Sequence, residues 1–186
     1  MAAAVCEALR ILAGELERRE GLMALMRHAE TALAPEHILT EAYRLTEPLS
    51  LHRAAGLYGV EIDRDRFTLP NVRPLVVEGA GGALEPVTRE MTFAAVFAEW
   101  RLMTIIVVRT GLGTINHTLM TIEALRARRV PIQSVAFVGD ANEDNEANIA
   151  EMGQLRCLGR LPRLPELTAP ALAAAFAEGF RFEDFS

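Results

Sequence analysis

Lysine is absent from this chain, and all 19 of its basic residues are arginine. The sequence therefore contains no Gly-x-x-x-x-Gly-Lys-Ser/Thr loop, the pattern in which backbone N–H groups and a lysine hold nucleotide phosphates. Chemistry that needs a lysine ammonium group on a phosphate or a carbonyl is excluded for this chain acting alone. No basic face is evident either, and the formal net charge is −6, which argues against a nucleic-acid-binding protein.

Cysteine is scarce as well. Cys6 and Cys157 are the only two, and they match no metal-binding or disulfide spacing, so we expect a reducing, cytoplasmic environment. No run reaches the roughly 18 apolar residues of a membrane span. Glu7 comes too early in the chain for a secretory signal peptide, so we expect none.

The residues that are present suit a globular protein. The 186 residues are 51% hydrophobic, which predicts a single domain over residues 1–186 with one core. Strands are predicted at 74–77, 103–108, 134–138 and 157–159, and helices at 90–100, 114–128, 143–153 and 170–180. Apolar strands that alternate with amphipathic helices are typical of an α/β fold with a mostly parallel sheet covered by helices.

The N-terminal third does not follow this alternation. Apolar residues recur at helical spacing from Val5 to Leu16, which predicts one or two helices over residues 2–33. Residues 36–70 are punctuated by proline and glycine and are predicted to be irregular. No convincing buried strand is evident in this part of the sequence.

A first glycine-rich turn, Glu78-Gly-Ala-Gly-Gly82, follows an apolar run. A carboxylate at the end of a strand is a common Mg²⁺ ligand beside nucleotide phosphates, and small residues leave backbone N–H groups free to approach an anion. A tight turn with a solvated Glu78 explains the same five residues equally well. Both interpretations stay open at this point.

A second turn, Thr110-Gly-Leu-Gly-Thr-Ile-Asn-His117, begins the strongest predicted helix. A helix start with free N–H groups attracts carboxylates and phosphates. A plain helix cap by Gly113 or Thr114 is the simpler alternative. The turn carries more polar side chains than a cap needs, so we favour a binding role, with His117 as a packing or hydrogen-bonding residue.

Three further groups carry weaker signals. Glu143, Asp144 and Glu146 are predicted to form the solvated first turn of a helix. Val138-Gly-Asp140 ends a predicted strand and fits a ligand contact or a simple turn equally well. The remaining histidines lie in unpatterned surroundings and are predicted to be surface residues: His28, His37 and His52.

Taken together, three motifs resemble dethiobiotin synthetase, a P-loop-type α/β family of biotin synthesis. They are Val76-Val-Glu-Gly-Ala-Gly-Gly82, Arg109-Thr-Gly-Leu-Gly-Thr-Ile-Asn-His-Thr118 and Leu158-Gly-Arg-Leu-Pro162. The resemblance runs in consistent order over residues 35–185 and leaves residues 1–34 as a divergent, helical N-terminal segment. It implies an enzyme that uses ATP and Mg²⁺ to close diaminopelargonate and CO₂ into the cyclic urea of dethiobiotin.

The resemblance also implies roles for individual residues. Glu78 corresponds to the Mg²⁺ ligand. The cradle near phosphate and carbamate corresponds to Gly79, Ala80, Gly81 and Gly82. The site for the substrate carboxylate corresponds to Gly111, Leu112, Gly113, Thr114, Ile115 and Asn116. The adenine pocket corresponds to Val138, Gly139, Asp140, Leu161 and Pro162.

The family shares this substrate site across a dimer, so the resemblance implies a homodimer. Ile115, Leu119, Ile122 and Leu125 recur at helical spacing and are predicted to form one buried stripe on the helix. The start of that helix would then lie near the two-fold axis.

The chain departs from the family pattern at its start. The family opens with a strand and a phosphate loop ending in Gly-Lys-Thr, and a second lysine lies on the carbamate; neither is found here. Ser50-Leu-His52 replaces the usual Ser-Pro-His, and Glu85 replaces an apolar residue. A shortened synthetase, a non-catalytic dimer partner and a truncated fragment of the enzyme all remain compatible with the sequence.

Overall fold

The computed structural model describes residues 11–13, 43–45, 49–71, 75, 77 and 81–185. They belong to two compact units, Met1–Val96 and Phe97–Ser186. The expectation of one domain over the whole chain stays a prediction.

The first unit contains a short parallel pair of strands. Strand β1 (Ile11–Ala13) pairs with β2 (Tyr43–Leu45), with Ile11 beside Tyr43 and Ala13 beside Leu45. The prediction of helix throughout residues 2–33 is therefore wrong at β1. Three apolar residues are too few to distinguish the repeat of a helix from the alternation of a strand. The pairing of these residues with β2 determines that they form a strand.

A short helix follows β2, in a region predicted to be irregular. Helix α1 (Leu51–Leu57) buries Leu51, Ala54 and Ala55, which are three and four residues apart and share one face. A 3-10 helix (Arg64–Arg66) follows and is capped by the side chain of Asp63. The Asp63 backbone N–H also donates to the Tyr43 hydroxyl at 2.6 Å, which ties this segment to β2.

The glycine-rich turn leads into helix α2 (Phe93–Trp100), within the predicted helix 90–100. A backbone bridge between Pro86 and Thr92 precedes it. Of the strand predicted at 74–77, residues 75 and 77 are not in a strand, and residues 74 and 76 lie outside the described residues.

The second unit is a parallel three-stranded sheet with helical crossovers. Its strands β3 (Thr104–Arg109), β4 (Ile132–Val138) and β5 (Arg156–Leu161) lie in that order. Helices α3 (Thr114–Ala127) and α4 (Glu143–Gly153) connect them. The predicted mostly parallel α/β fold is confirmed, and each of these elements lies within about two residues of its predicted position, the accuracy expected of element ends.

Strand β4 forms the centre of this core. Its four successive residues Ser134, Val135, Ala136 and Phe137 are all buried, as expected for a strand covered on both faces. Helix α3 contributes Ile122 and Leu125, and α4 contributes Ile149.

The buried face of α3 differs from the predicted stripe. Ile115 and Leu119 are only half-buried, and Thr114 and Thr118 occupy the buried positions of the first turns. The Thr118 hydroxyl donates to the Thr114 carbonyl at 2.7 Å, so its burial leaves no unsatisfied donor. Thr118 can therefore occupy a buried position that was predicted to be filled by an aliphatic residue.

The chain's last described elements pack at the other end of the sheet. Helix α5 (Ala169–Gly179) is followed by a 3-10 helix (Phe182–Phe185), and the rings of Phe176, Phe180 and Phe185 lie within 6 Å of one another. Asp184 accepts from Arg156 through its carboxylate and from Gln133 through its carbonyl. None of the helices among the described residues is both long and apolar enough to span a membrane.

Candidate functional site

The carboxyl ends of the three strands of the second unit meet at one edge of the sheet. The Thr110 N–H donates to the Val138 carbonyl at 3.2 Å, and the Gly139 N–H donates to the Leu161 carbonyl at 2.9 Å. The turns after β3, β4 and β5 are therefore adjacent. This is the edge of an open α/β sheet where ligands bind.

At this edge the backbone of Gly139 lies very close to the side chain of Thr110. The φ of Gly139 is +130°, a conformation that favours glycine, and a Cβ there would collide with the Thr110 hydroxyl. The residue is buried, whereas its neighbour Asp140 is exposed. A side chain at position 139 would fill the junction between the β3 and β4 turns.

The five residues predicted for an adenine pocket are brought together here. Val138 is the register partner of Leu161 across β4 and β5, and Gly139 is bonded to Leu161. Pro162 and Asp140 are exposed at the rim. The Asp140 carboxylate lies 3.7 Å from Arg163 Nε, but both side chains are at least 80% exposed, so this ion pair contributes little to stability.

Behind these residues lies a charged pair that sequence reasoning missed. Arg160 Nη1 donates to the Gly139 carbonyl at 3.3 Å, and Arg160 Nε lies 3.1 Å from Glu146 Oε1. Glu146 also accepts from the Asn142 N–H at 3.2 Å. Glu143 and Asp144 are exposed as predicted, but the prediction of a solvated Glu146 is wrong, because an arginine from a neighbouring strand covers it.

The start of helix α3 is open. Gly113 occupies the N-cap with a φ of +84°, and, being glycine, it provides no side chain to cap the helix. Gly111, Leu112, Gly113 and Asn116 are exposed, Ile115 is half-buried and Thr114 is buried. His117 is exposed and lies against Gly113. An uncapped, solvent-facing helix start retains backbone N–H groups for an anion.

The first glycine-rich turn is described only in its second half. Glu78, Gly79 and Ala80 lie outside the described residues, so their predicted roles stay predictions, as does the expectation that Glu78 shares an edge with the Thr110 turn. Gly81 and Gly82 are exposed, and Gly81 has a φ of +79°. The side chain of Glu85 packs on Gly81, which places this carboxylate over the turn.

The described residues contain no cluster of metal ligands. Among residues 11–13, 43–45, 49–71 and 81–185, no group of three or more His, Cys, Asp or Glu side chains could hold a metal ion. Glu78 stays the ligand predicted from the sequence. His52 was predicted to be a surface residue; it is half-buried, and its Nδ1 atom is buried without a hydrogen-bond partner among the described residues. His28 and His37 lie outside the described residues.

Comparison with known proteins gives the class. The sequence profile of an AAA domain family matches residues 15–171. The parallel sheet, its crossover helices and this match together define an α/β protein of the AAA domain class.

Individual relatives narrow the class to one family. The chain is 68% identical over 150 residues to a protein of Novosphingobium aromaticivorans named ATP-dependent dethiobiotin synthetase, with 81% of this chain and 73% of that protein aligned. Proteins of the same name from Rhodopseudomonas palustris strain TIE-1 and Sphingopyxis alaskensis are 55% and 54% identical, over 83% and 82% of this chain and 74% and 75% of theirs. The chain belongs to the dethiobiotin synthetase family.

Proposed function

We propose that this chain is an ATP-dependent dethiobiotin synthetase, a ligase of biotin biosynthesis that forms the cyclic urea of dethiobiotin from diaminopelargonate and CO₂. The observation that carries the proposal is the 68% identity to a protein of that name over most of the chain. A non-catalytic dimer partner is not favoured, because the relatives described above are all named as synthetases.

The adenine of ATP is proposed to bind against the turns that follow β4 and β5. The bonding of Gly139 to Leu161 supports this, since it sets Val138–Asp140 beside Leu161 and Pro162 at one edge of the sheet. Ligand sites combine apolar residues with a few polar groups in this way.

The phosphates are proposed to lie on the backbone of Gly79–Gly82, with Mg²⁺ held by Glu78. When bound there, Mg²⁺ would offset the charge that develops on the phosphate oxygens. Because the chain has no lysine, we expect ATP to bind weakly, mainly through the base and through Glu78 with Mg²⁺.

The carboxylate of diaminopelargonate is proposed to bind at the start of α3. The absence of a side-chain cap supports this, and so does the exposure of Gly111–Gly113 and Asn116. The helix dipole and its free N–H groups would both favour a carboxylate at this point. In the proposed reaction this contact orients the substrate while CO₂ carbamylates one amine, ATP phosphorylates the carbamate, and the second amine displaces phosphate to close the ring.

A homodimer is proposed to place this helix start opposite the neighbouring subunit. Leu112, which precedes α3, is fully exposed, and Met120, on α3, is 58% exposed. The exposed Asn116 lies one helical turn before Met120. These three residues form an exposed stripe that begins before α3 and continues along its first turns. An exposed stripe of this kind suits an isologous interface, in which the same stripe of a second copy would cover it. A reducing cytoplasm is proposed as the location, and the free, exposed thiol of Cys157 is consistent with it.

The reaction itself is the direct test. We expect the purified chain, given ATP, Mg²⁺, bicarbonate and diaminopelargonate, to form dethiobiotin that is detected by mass spectrometry. Asn116→Ala is expected to raise the KM for diaminopelargonate about tenfold, with the KM for ATP unchanged, because one polar contact is lost. Asn148→Ala, on α4, is the matched control. Absence of dethiobiotin would refute the proposed function.

Assembly is tested separately by sedimentation. We expect a dimer at micromolar concentration, and Leu112→Asp is expected to yield monomers because it places a charge in the proposed interface. Leu167→Asp serves as the control, since Leu167 is 64% exposed outside the stripe. A monomeric wild-type chain would refute the dimer.

A further inference from the structure

Arg160 is a half-buried arginine whose partners lie in the turn after β4 and on helix α4. Its side chain is 28% exposed, and that of Glu146 is 17% exposed. The Arg160 guanidinium joins the Gly139 carbonyl, at 3.3 Å, to the Glu146 carboxylate, at 3.1 Å. One side chain therefore connects β5 with the turn after β4 and with the first turns of α4.

The effect of this bridge is to fix both polar groups of Gly139. The Gly139 N–H donates to Leu161, and its carbonyl accepts from Arg160. Further along the same turn, Glu146 accepts from the N–H of Asn142, whose own side chain caps α4. The segment from Gly139 to Asn142 is therefore held at both ends: Arg160 bonds Gly139, and Glu146 bonds Asn142. The contact between Arg160 and Glu146 links these two ends.

The geometry distinguishes this pair from an ordinary surface ion pair. Asp140 and Arg163 lie on the same two turns but are almost fully exposed, so solvent screens their attraction. Arg160 and Glu146 are largely removed from water, and replacing one of them leaves the other charge unpaired. Arg160 Nε is buried and makes no hydrogen bond to a described residue. Its contact with Glu146 is thus a charge interaction, and Nη1 supplies the directional bond.

We propose that Arg160, supported by Glu146, is a positioning residue for the nucleotide base. It holds the Gly139–Asn142 turn in one position beside Leu161 and Pro162, at the edge of the sheet. A turn fixed before binding lowers the loss of conformational freedom when the base binds against it. This inference rests on the proposed function, which places adenine at that edge.

Binding of ADP with Mg²⁺, followed by calorimetry or by NMR titration, tests the proposal without turnover. Arg160→Met keeps the length of the side chain and removes its charge and donors. We expect it to raise the Kd for ADP about tenfold. Arg156→Met is the matched control, since Arg156 also lies on β5 in an ion pair but at the opposite end of the strand. It is expected to change the Kd less than about twofold.

Steady-state kinetics separate positioning from a merely structural role. Loss of folded protein would lower kcat and leave both KM values alone. Loss of positioning raises the KM for ATP while kcat and the KM for diaminopelargonate stay near those of the wild type.

Two milder variants keep the test decisive if Arg160→Met does not fold. Arg160→Lys reaches one partner but not both, so an intermediate Kd is expected. Glu146→Gln keeps the acceptor for Asn142 and removes the charge, and it should raise the Kd for ADP less than Arg160→Met does.

The outcomes for the two proposals differ. A wild-type chain that binds ADP but forms no dethiobiotin refutes the proposed function and leaves the role of Arg160 to be decided by the Kd values. Active wild-type protein whose Arg160 variants bind ADP normally, or wild-type protein that binds no ADP, overturns the inference about Arg160.

Discussion

Gly159→Ala gives the sharpest test of how β5 is held against the end of α5. Gly159 has a φ of +139°, and a Cβ there would collide with the carbonyl oxygen of Gly179 and lie 3.3 Å from the Phe180 ring. The collision is with backbone, which no change of rotamer relieves. Alanine at position 159 must therefore push α5 away or alter the path of β5.

Two contributions to the loss of stability add here. Placing an alanine in a glycine-type conformation costs about 1–3 kcal/mol. Forcing a methyl group into a packed contact costs about 1–3 kcal/mol more. Together they predict that Gly159→Ala lowers the free energy of unfolding by about 2–6 kcal/mol, a large share of the 5–15 kcal/mol typical of a domain.

Urea unfolding followed by circular dichroism measures this loss. Gly56→Ala is the control, because a Cβ at Gly56, inside α1, meets nothing within 4 Å. It is expected to be neutral or to stabilise the protein by up to about 1 kcal/mol, since alanine favours helix.

A second substitution tests the cause. A Cβ at Gly179 would collide with the carbonyl of Arg160, at the same junction of β5 and α5. Once one alanine has separated the two elements, the second should cost less, so the double variant should lose at least about 0.5 kcal/mol less than the sum of the two single losses. A loss below about 1 kcal/mol for Gly159→Ala, or strict additivity, would refute the reasoning.

Three further substitutions test separate contacts by the same unfolding assay. Ser134→Ala should leave stability unchanged or raise it by up to about 2 kcal/mol, because the Ser134 hydroxyl is fully buried without a hydrogen-bond partner among the described residues; a clear loss would contradict this. Arg126→Met should cost about 1 kcal/mol, because Arg126 donates to the Gly153 carbonyl at the end of α4 at 2.6 Å; Arg128→Met, which loses only a bond within α3, is its control. Gln154→Gly should stabilise by about 1 kcal/mol, because Gln154 ends α4 with a φ of +48°; no gain would contradict it.

The second half of the fold could be predicted from the sequence because its signals are local. The apolar runs of β3 and β4 are flanked by turns, and α3 and α4 carry clear helical periods, so their ends were placed to within about two residues. The earlier part lacked such signals. Strand β1 has three residues, and only its pairing with β2 distinguishes it from one turn of a helix.

The turns of the candidate site were predictable where glycine marks them. Gly113 and Gly139 both have positive φ, and each lies at a turn that the sequence had singled out. Arg160 and Glu146 were not singled out as partners, because they are 14 positions apart and meet only when β5 lies beside β4. The sequence offered one signal, the position of Arg160 next to Gly159 at a short predicted strand. This signal is weak, because an arginine at such a position is more often exposed to solvent than paired.

A chain without lysine constrains how this edge of the sheet can be organised. A guanidinium group is a planar fork, so Arg160 can donate to the Gly139 carbonyl with one nitrogen while another faces Glu146. The ammonium group of a lysine has its charge and donors on one atom, so it would contact either the Gly139 carbonyl or the Glu146 carboxylate but not both. The segments at the proposed base site are therefore joined by a contact that depends on arginine chemistry, and Arg160→Lys should weaken that connection even though it preserves the charge.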